Sequence, residues 1–295
     1  MSDHQAGSYY LPEPSGWPIV GSAAVALLTS GLVMWSNHIA SGGWVILAGL
    51  LVLFYMMFGW FGTVIAESES GKYDQQVDRS FRWGMSWFIF SEVMFFAAFF
   101  GALFYMRVLS VPWLGEGDTN AVLWEGFKAA WPSTGPLGQT IIAPMSEAAP
   151  GQLSPMAAWG VPAINTLILL TSGVTLTVAH WGLKKGNRGQ LNLWLALTVV
   201  LGVVFLYLQA TEYHEAYTKL GLTLASGAYG ATFFMLTGFH GLHVTIGTIM
   251  LAVILVRCLK GHFKPDSHFG FEAVSWYWHF VDVVWLGLFV FVYWL

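Results

Sequence analysis

Residues 228–258 read AYGATFFMLTGFHGLHVTIGTIMLAVILVRC, with no formally charged side chain before Arg257. About 20 apolar residues are enough to cross the hydrocarbon core of a bilayer. This run is longer, so it is expected to tilt or to extend into the aqueous phase. Working outward from it, six further stretches have the same character, at about 17–38, 43–66, 82–109, 161–181, 191–213 and 272–295. The composition agrees with that pattern. With 56% hydrophobic side chains, 9% charged and a mean hydropathy of +0.61, the chain has more apolar surface than one soluble core could hide. The sequence therefore predicts an all-α, polytopic membrane protein with seven transmembrane helices. Its 16 Trp, 22 Phe and 11 Tyr fit that setting, because aromatic rings concentrate where helices meet lipid headgroups.

Composition also excludes several function classes. The one cysteine, Cys258, can form no intramolecular disulfide and falls short of a thiolate metal or iron–sulfur site. A net charge of -4 offers no basic patch for nucleic acid, so no nucleic-acid partner is expected. The polar opening Met1 to Gly16 contains no Lys or Arg, so it lacks the basic start of a signal peptide and the first helix is expected to direct its own insertion.

Orientation follows from the cations. Of the 12 Lys and Arg, Lys72, Arg79, Arg82, Lys184, Lys185, Arg188, Arg257, Lys260 and Lys264 flank connections of one parity. Only Arg107, Lys128 and Lys219 lie on the other side. The positive-inside rule then puts the N-terminus inside and the C-terminus outside. Between Ser110 and Gly160 six prolines deny regular helix hydrogen bonding, which predicts an ordered outside loop over 110–160. Gly173, Gly202, Gly230, Gly238, Gly241, Gly247 and Gly287 fall inside spans, where small residues let helix backbones approach closely. No internal repeat is evident, and residues 1–295 read as a single domain.

The informative side chains are the ionisable ones in or at the edge of apolar spans: Glu92, His240, His243, Glu272, His279 and Asp282. Such groups are costly in hydrocarbon and usually face the bundle interior. Glu92 lies well inside its helix, as a proton-exchanging or gating acid or as a neutral carboxyl hydrogen-bonded across helices. His240 and His243 are three apart and share a helix face, which suits either metal or haem ligation or structural hydrogen bonds. A haem-copper catalytic core would need more histidines than His240, His243 and His279 within spans and His38, His180 and His214 at their edges. His279 and Asp282 repeat the spacing, and their pairing would reduce the cost of burying both, as a structural clamp or as part of a proton path. Near the inside ends, Glu67, Arg79, Arg82 and Arg257 stand at headgroup depth beside Trp60 and Trp83. They fit anionic lipid heads as well as ordinary snorkelling.

These segments resemble subunit III of cytochrome c oxidase along almost the full chain. The residues that carry the resemblance are Trp17-Pro18, Arg82-Trp83-Gly84-Met85, Ser91-Glu92-Val93-Met94-Phe95-Phe96, Asn165-Thr166, Ser172-Gly173-Val174 and Gln209-Ala210-Thr211-Glu212-Tyr213. Thr237 to His243, Phe269-Gly270-Phe271-Glu272 and the run Trp276 to Trp285 carry it further. The resemblance implies seven helices in two groups, helices 1–2 and 3–7, forming a V-shaped cleft that binds phospholipids. It implies Trp60, Glu67, Arg82 and Arg257 as lipid-headgroup residues, and Glu92 as a buried carboxylate that reacts with carbodiimide. It implies no catalytic residue and no metal in this chain, with haem a-type groups and copper held by partner subunits. The partners would be oxidase subunit I as the main contact, subunit II, cytochrome c through the complex, and membrane lipids. The implied role is a non-redox core subunit of a proton-pumping terminal oxidase that stabilises the catalytic subunit, supports proton uptake and protects the active site during turnover.

Two departures limit what transfers. Trp181 stands where many relatives carry a second histidine after His180, and the loop over 110–160 is longer than in compact relatives. That loop favours a bacterial inner membrane over a mitochondrial one. A quinol oxidase's third subunit shares the core motifs, but seven spans favour the cytochrome c enzyme. A proton-coupled carrier using Glu92, His279 and Asp282 would need more polar groups along a central path, and a single haem held by two of the histidines would be visible in a reduced-minus-oxidised spectrum.

Overall fold

A computed structural model describes residues 10, 11 and 13–295, so the reading of the opening as lacking a signal peptide falls largely outside the described residues. Among the described residues, seven helices are long and apolar enough to cross a membrane. Contacts group the chain into two compact units, residues 1–83 and 84–295.

In the first unit, α1 (Trp17–Ser36) and α2 (Gly42–Glu69) form a helical hairpin. Pro18 sits in the first turn of α1, where its missing N–H costs no hydrogen bond. The close approaches Trp35 with Gly42, Ile46 with Gly31, Leu28 with Gly49 and Trp17 with Gly59 run in opposite order along the two helices, which fixes them as antiparallel. At Gly31 a Cβ would lie 2.7 Å from the backbone nitrogen of Ile46. In lipid there is no hydrophobic drive between apolar helices, so such backbone proximity supplies the van der Waals contact that joins them. Trp17 Nε1 adds a hydrogen bond to Thr63 Oγ1 at 3.3 Å.

The third helix, α3 (Gln75–Phe104), corrects the expected span of 82–109 at both ends. It starts earlier because the Asp74 carboxylate accepts the backbone N–H of Val77 at 2.8 Å, capping the first turn. At its far end a π-helical turn, Tyr105–Ser110, leads directly into α4 (Val111–Gly115), and α5 (Gly117–Val122) follows. The helical rod thus passes through Ser110 and Pro112 to Gly115, and the irregular loop expected over 110–160 begins only after Val122. Pro112 falls directly after the π-helical turn, whose wider turn carries the rod past it.

In the second unit, α6 (Val161–Lys184), α7 (Arg188–Thr218), α8 (Gly227–Leu259) and α9 (Phe269–Leu288) form a four-helix ring, with α6 against α7 and α9, and α8 against α7 and α9. A second π-helical turn, Phe289–Trp294, extends α9. At 33 residues α8 is about 50 Å long at ~1.5 Å per residue, well beyond a hydrocarbon core of ~30 Å. Trp278 and Trp285 lie wholly inside the ring. Each indole N–H reaches α6: Trp278 Nε1 donates to Ser172 Oγ and Trp285 Nε1 to Thr166 Oγ1, both at 2.9 Å. The lower part of α3 lies against α8 and α9 through Phe95 on Phe239 and Phe96 on Phe280.

The loop after Val122 is tied down by backbone pairing. Strands β1 (Thr140–Ile141) and β2 (Gln152–Leu153) run parallel. Ala148 N–H donates to Lys219 O at 2.8 Å, Ser154 N–H to Leu220 O at 2.9 Å, and Tyr229 N–H to Ser133 O at 2.9 Å. The loop is therefore ordered over the α7–α8 connection.

Candidate functional site

Glu92 on α3 and His243 on α8 meet inside the second unit, with Oε2 and Nε2 2.8 Å apart. The imidazole's other nitrogen, Nδ1, lies 2.6 Å from the carbonyl oxygen of Phe239. A carbonyl only accepts, so Nδ1 carries a proton and donates it. One further proton then lies between Nε2 and Oε2, either on a neutral carboxylic acid or on an imidazolium facing a carboxylate. The pair can pass between these forms without moving a heavy atom. Phe95, Phe96, Tyr277 and Phe280 surround the imidazole with ring centroids 5.0–6.4 Å away. The Glu92 side chain keeps 22% of its surface exposed and His243 10%, so the pair is screened without being sealed.

His240 shares a face with His243 but has different partners. Its Nε2 lies 3.2 Å from Val281 O on α9, which requires a donated N–H, and its ring stands between Phe205 and Trp285. The two Nε2 atoms are thus engaged by different groups on different helices, an arrangement that joins helices rather than converging on one metal or haem. On α9, His279 Nδ1 and Asp282 Oδ2 are 3.6 Å apart. Gly173 on α6 makes that pairing possible, because a Cβ there would stand 2.6 Å from Asp282 Oδ2.

At the polar end of the first unit, the Tyr73 hydroxyl donates to Glu67 Oε2 at 2.8 Å. Burial, reinforced by that carboxylate, pushes the Tyr73 phenol above its ordinary value near 10. Arg82 Nε donates to Asp78 Oδ2 at 2.7 Å, one turn earlier on α3. Trp60 is 41% exposed. Arg257 belongs to the second unit, where its guanidinium lies 4.4 Å from the centre of the Phe263 ring.

The sequence reading did not single out two polar groups. Glu212 is 2% exposed on α7, and the hydroxyl of Tyr293 donates to its Oε1 at 2.6 Å. Gln209 and Glu212, three apart in an apolar helix, carry the same signal that drew attention to His240 and His243. His268 precedes α9 and stands over His180 and Glu272. Its spacing of four from Glu272 becomes meaningful only when the helix begins at Phe269 rather than at residue 272.

Comparison with known proteins gives one family. The family described as cytochrome c oxidase subunit III matches residues 7–295. The chain is similar to cytochrome c oxidase subunit 3 of Struthio camelus, 43% identical over 292 residues that cover 99% of this chain and 98% of that protein. The same figures hold for the subunits 3 of Dugong dugon and Latimeria chalumnae.

Proposed function

Because the chain belongs to the cytochrome c oxidase subunit III family, we propose that, as the terminal oxidase's non-catalytic membrane subunit, it supports proton uptake through the Glu92–His243 pair. The complex is an oxidoreductase containing further oxidase subunits, and this chain works within it as a non-redox component. The observation that carries the proposal is the 2.8 Å contact between Glu92 Oε2 and His243 Nε2. A carboxyl and an imidazole at hydrogen-bond distance, with the second imidazole nitrogen already committed to Phe239 O, can load and release one proton at little structural cost.

The finer assignments belong to the same proposal. Haem a-type groups and copper reside in subunits I and II, and cytochrome c delivers electrons to the complex. Subunit I is the main contact. Phospholipid headgroups are held by Trp60, Glu67, Arg82 and Arg257, since arginine's fork of donors matches phosphate geometry. His240 and the His279–Asp282 pair serve as structural ties, and the Gly173 clearance beside Asp282 supports that role. The chain lies in a bacterial plasma membrane with its N-terminus cytoplasmic.

The test is Glu92→Gln in the assembled oxidase, reconstituted in vesicles. Glutamine keeps a hydrogen bond to His243 but cannot exchange the proton. Slower proton uptake per turnover with intact assembly and haem content is the expected result. Unchanged uptake in E92Q assigns the pair a purely structural role and contradicts the proposal.

A further inference from the structure

At the end of α6 and the start of α9, three donor atoms converge away from the Glu92–His243 pair. His180 Nε2 and His268 Nε2 lie 3.6 Å and 3.3 Å from Glu272 Oε1, and one donor atom from each residue fits within a mutual separation of 4.8 Å. His268 Nδ1 lies 3.1 Å from the carbonyl oxygen of Lys264, so that nitrogen carries the proton and donates it. In the neutral ring the Nε2 lone pair is then turned towards Glu272. Neither His180 Nε2 nor His268 Nε2 has a hydrogen-bond partner among the described residues, although both atoms are buried. The His268 lone pair and the Glu272 carboxylate oxygen repel one another at this distance, and a cation bound between them would remove that repulsion.

From this geometry we propose that His180, His268 and Glu272 form a binding site for a borderline divalent cation of the zinc class. Two imidazole nitrogens and one carboxylate oxygen are the donor set such ions take. A tetrahedral centre with bonds of about 2.0–2.1 Å sets its donors roughly 3.3 Å apart, close to the two separations measured to Glu272 Oε1. The hydrogen bond from His268 Nδ1 to a backbone carbonyl is the outer contact that usually orients a metal-binding imidazole. With three protein donors, a fourth position stays open to water. Access is short: His180 stands one turn before Lys184, the last residue of α6, and Glu272 lies in the first turn of α9, so the site opens at the polar end of the ring. The His180 and Glu272 side chains retain 20% and 13% of their surface exposed. A bound ion would fasten α6 to the α8–α9 connection. The proposal is independent of proton uptake through Glu92.

The experiment uses the intact oxidase, stripped with chelator and equilibrated with zinc ion. Zinc content is read by mass spectrometry, and the ion is placed by anomalous scattering at the zinc edge. The expected result is a peak about 2.0–2.2 Å from the three donor atoms. One zinc per complex should be lost in His268→Gln and in Glu272→Gln. Removing a ligand should weaken binding by more than the ~10–100-fold that outer-contact changes typically cost. Zinc content unchanged in both variants, or no peak between the three residues in the wild-type complex, overturns the proposal. The wild-type peak decides the matter even if a variant fails to assemble.

Discussion

Glu212 and Tyr293 show what a single buried hydrogen bond contributes in this chain. Tyr293→Phe removes the 2.6 Å donor to Glu212 Oε1 and leaves a carboxyl that is 2% exposed with less support. Hydrogen bonds between membrane helices average about 0.6 kcal/mol and reach about 1.7 kcal/mol. A loss of about 1 kcal/mol is therefore expected, read as a lower melting temperature of the assembled complex. Outside the spans, Tyr73→Phe should cost about 1 kcal/mol through the lost bond to Glu67. Because the Tyr73 phenol is held above its ordinary value near 10, its protonated form is the stabilising one. That contribution is complete below pH 10 and is lost only as the pH rises through the raised value. Melting curves at pH 6 and pH 9 should thus show the same difference between Y73F and wild type; a difference that shrinks by pH 9 contradicts this picture. The partners at such sites were only half legible in the sequence. Glu92 and His243 each stood out as ionisable groups in apolar runs, but their pairing joins residues 151 positions apart and depends on how α3 lies against α8.

Among the elements, periodicity and length revealed the spans, whereas local chemistry set their ends. The early start of α3 rests on one side chain, Asp74, whose capping bond to Val77 could have been read from Asp74-Gln75-Gln76-Val77. Its passage through Pro112 depends on a π-helical turn before the proline, which no residue pattern announced. The pairing of β1 with β2 was equally hidden, since the surrounding loop gains its order from Lys219, Leu220 and Tyr229, far along the chain. The α1–α2 hairpin gives the prediction for this scale. Gly31→Val should force apart backbones that place Ile46 N within 2.7 Å of any Cβ, at a cost of about 1–3 kcal/mol or more. Lower yield of the folded chain in membranes, with recovery in Gly31→Ala only partial, is the expected outcome. Equal yields of G31V and wild type would show that the helices are not held by this contact.

The whole molecule joins two parts of different character. The first is a hairpin that exposes many large apolar side chains, among them Trp44, Phe58 and Phe61. The second is a ring with an aromatic and polar interior. On the proposed orientation, Lys185 should be cytoplasmic and Leu137, 87% exposed in the long loop, should be on the other side. In intact cells an impermeant maleimide should label Leu137→Cys and should reach Lys185→Cys only after lysis. The reverse labelling would invert the topology.

The central claim is that this chain is a subunit of a terminal oxidase while carrying none of its redox centres, and purification tests it directly. A tagged chain is isolated in mild detergent, then separated from whatever accompanies it, with visible spectra and oxygen uptake on reduced cytochrome c measured at both stages. The account predicts haem a-type absorbance and oxidase activity in the complex and neither in the separated chain. A chain that purifies colourless and without partners, or one that keeps a haem band when alone, would contradict it.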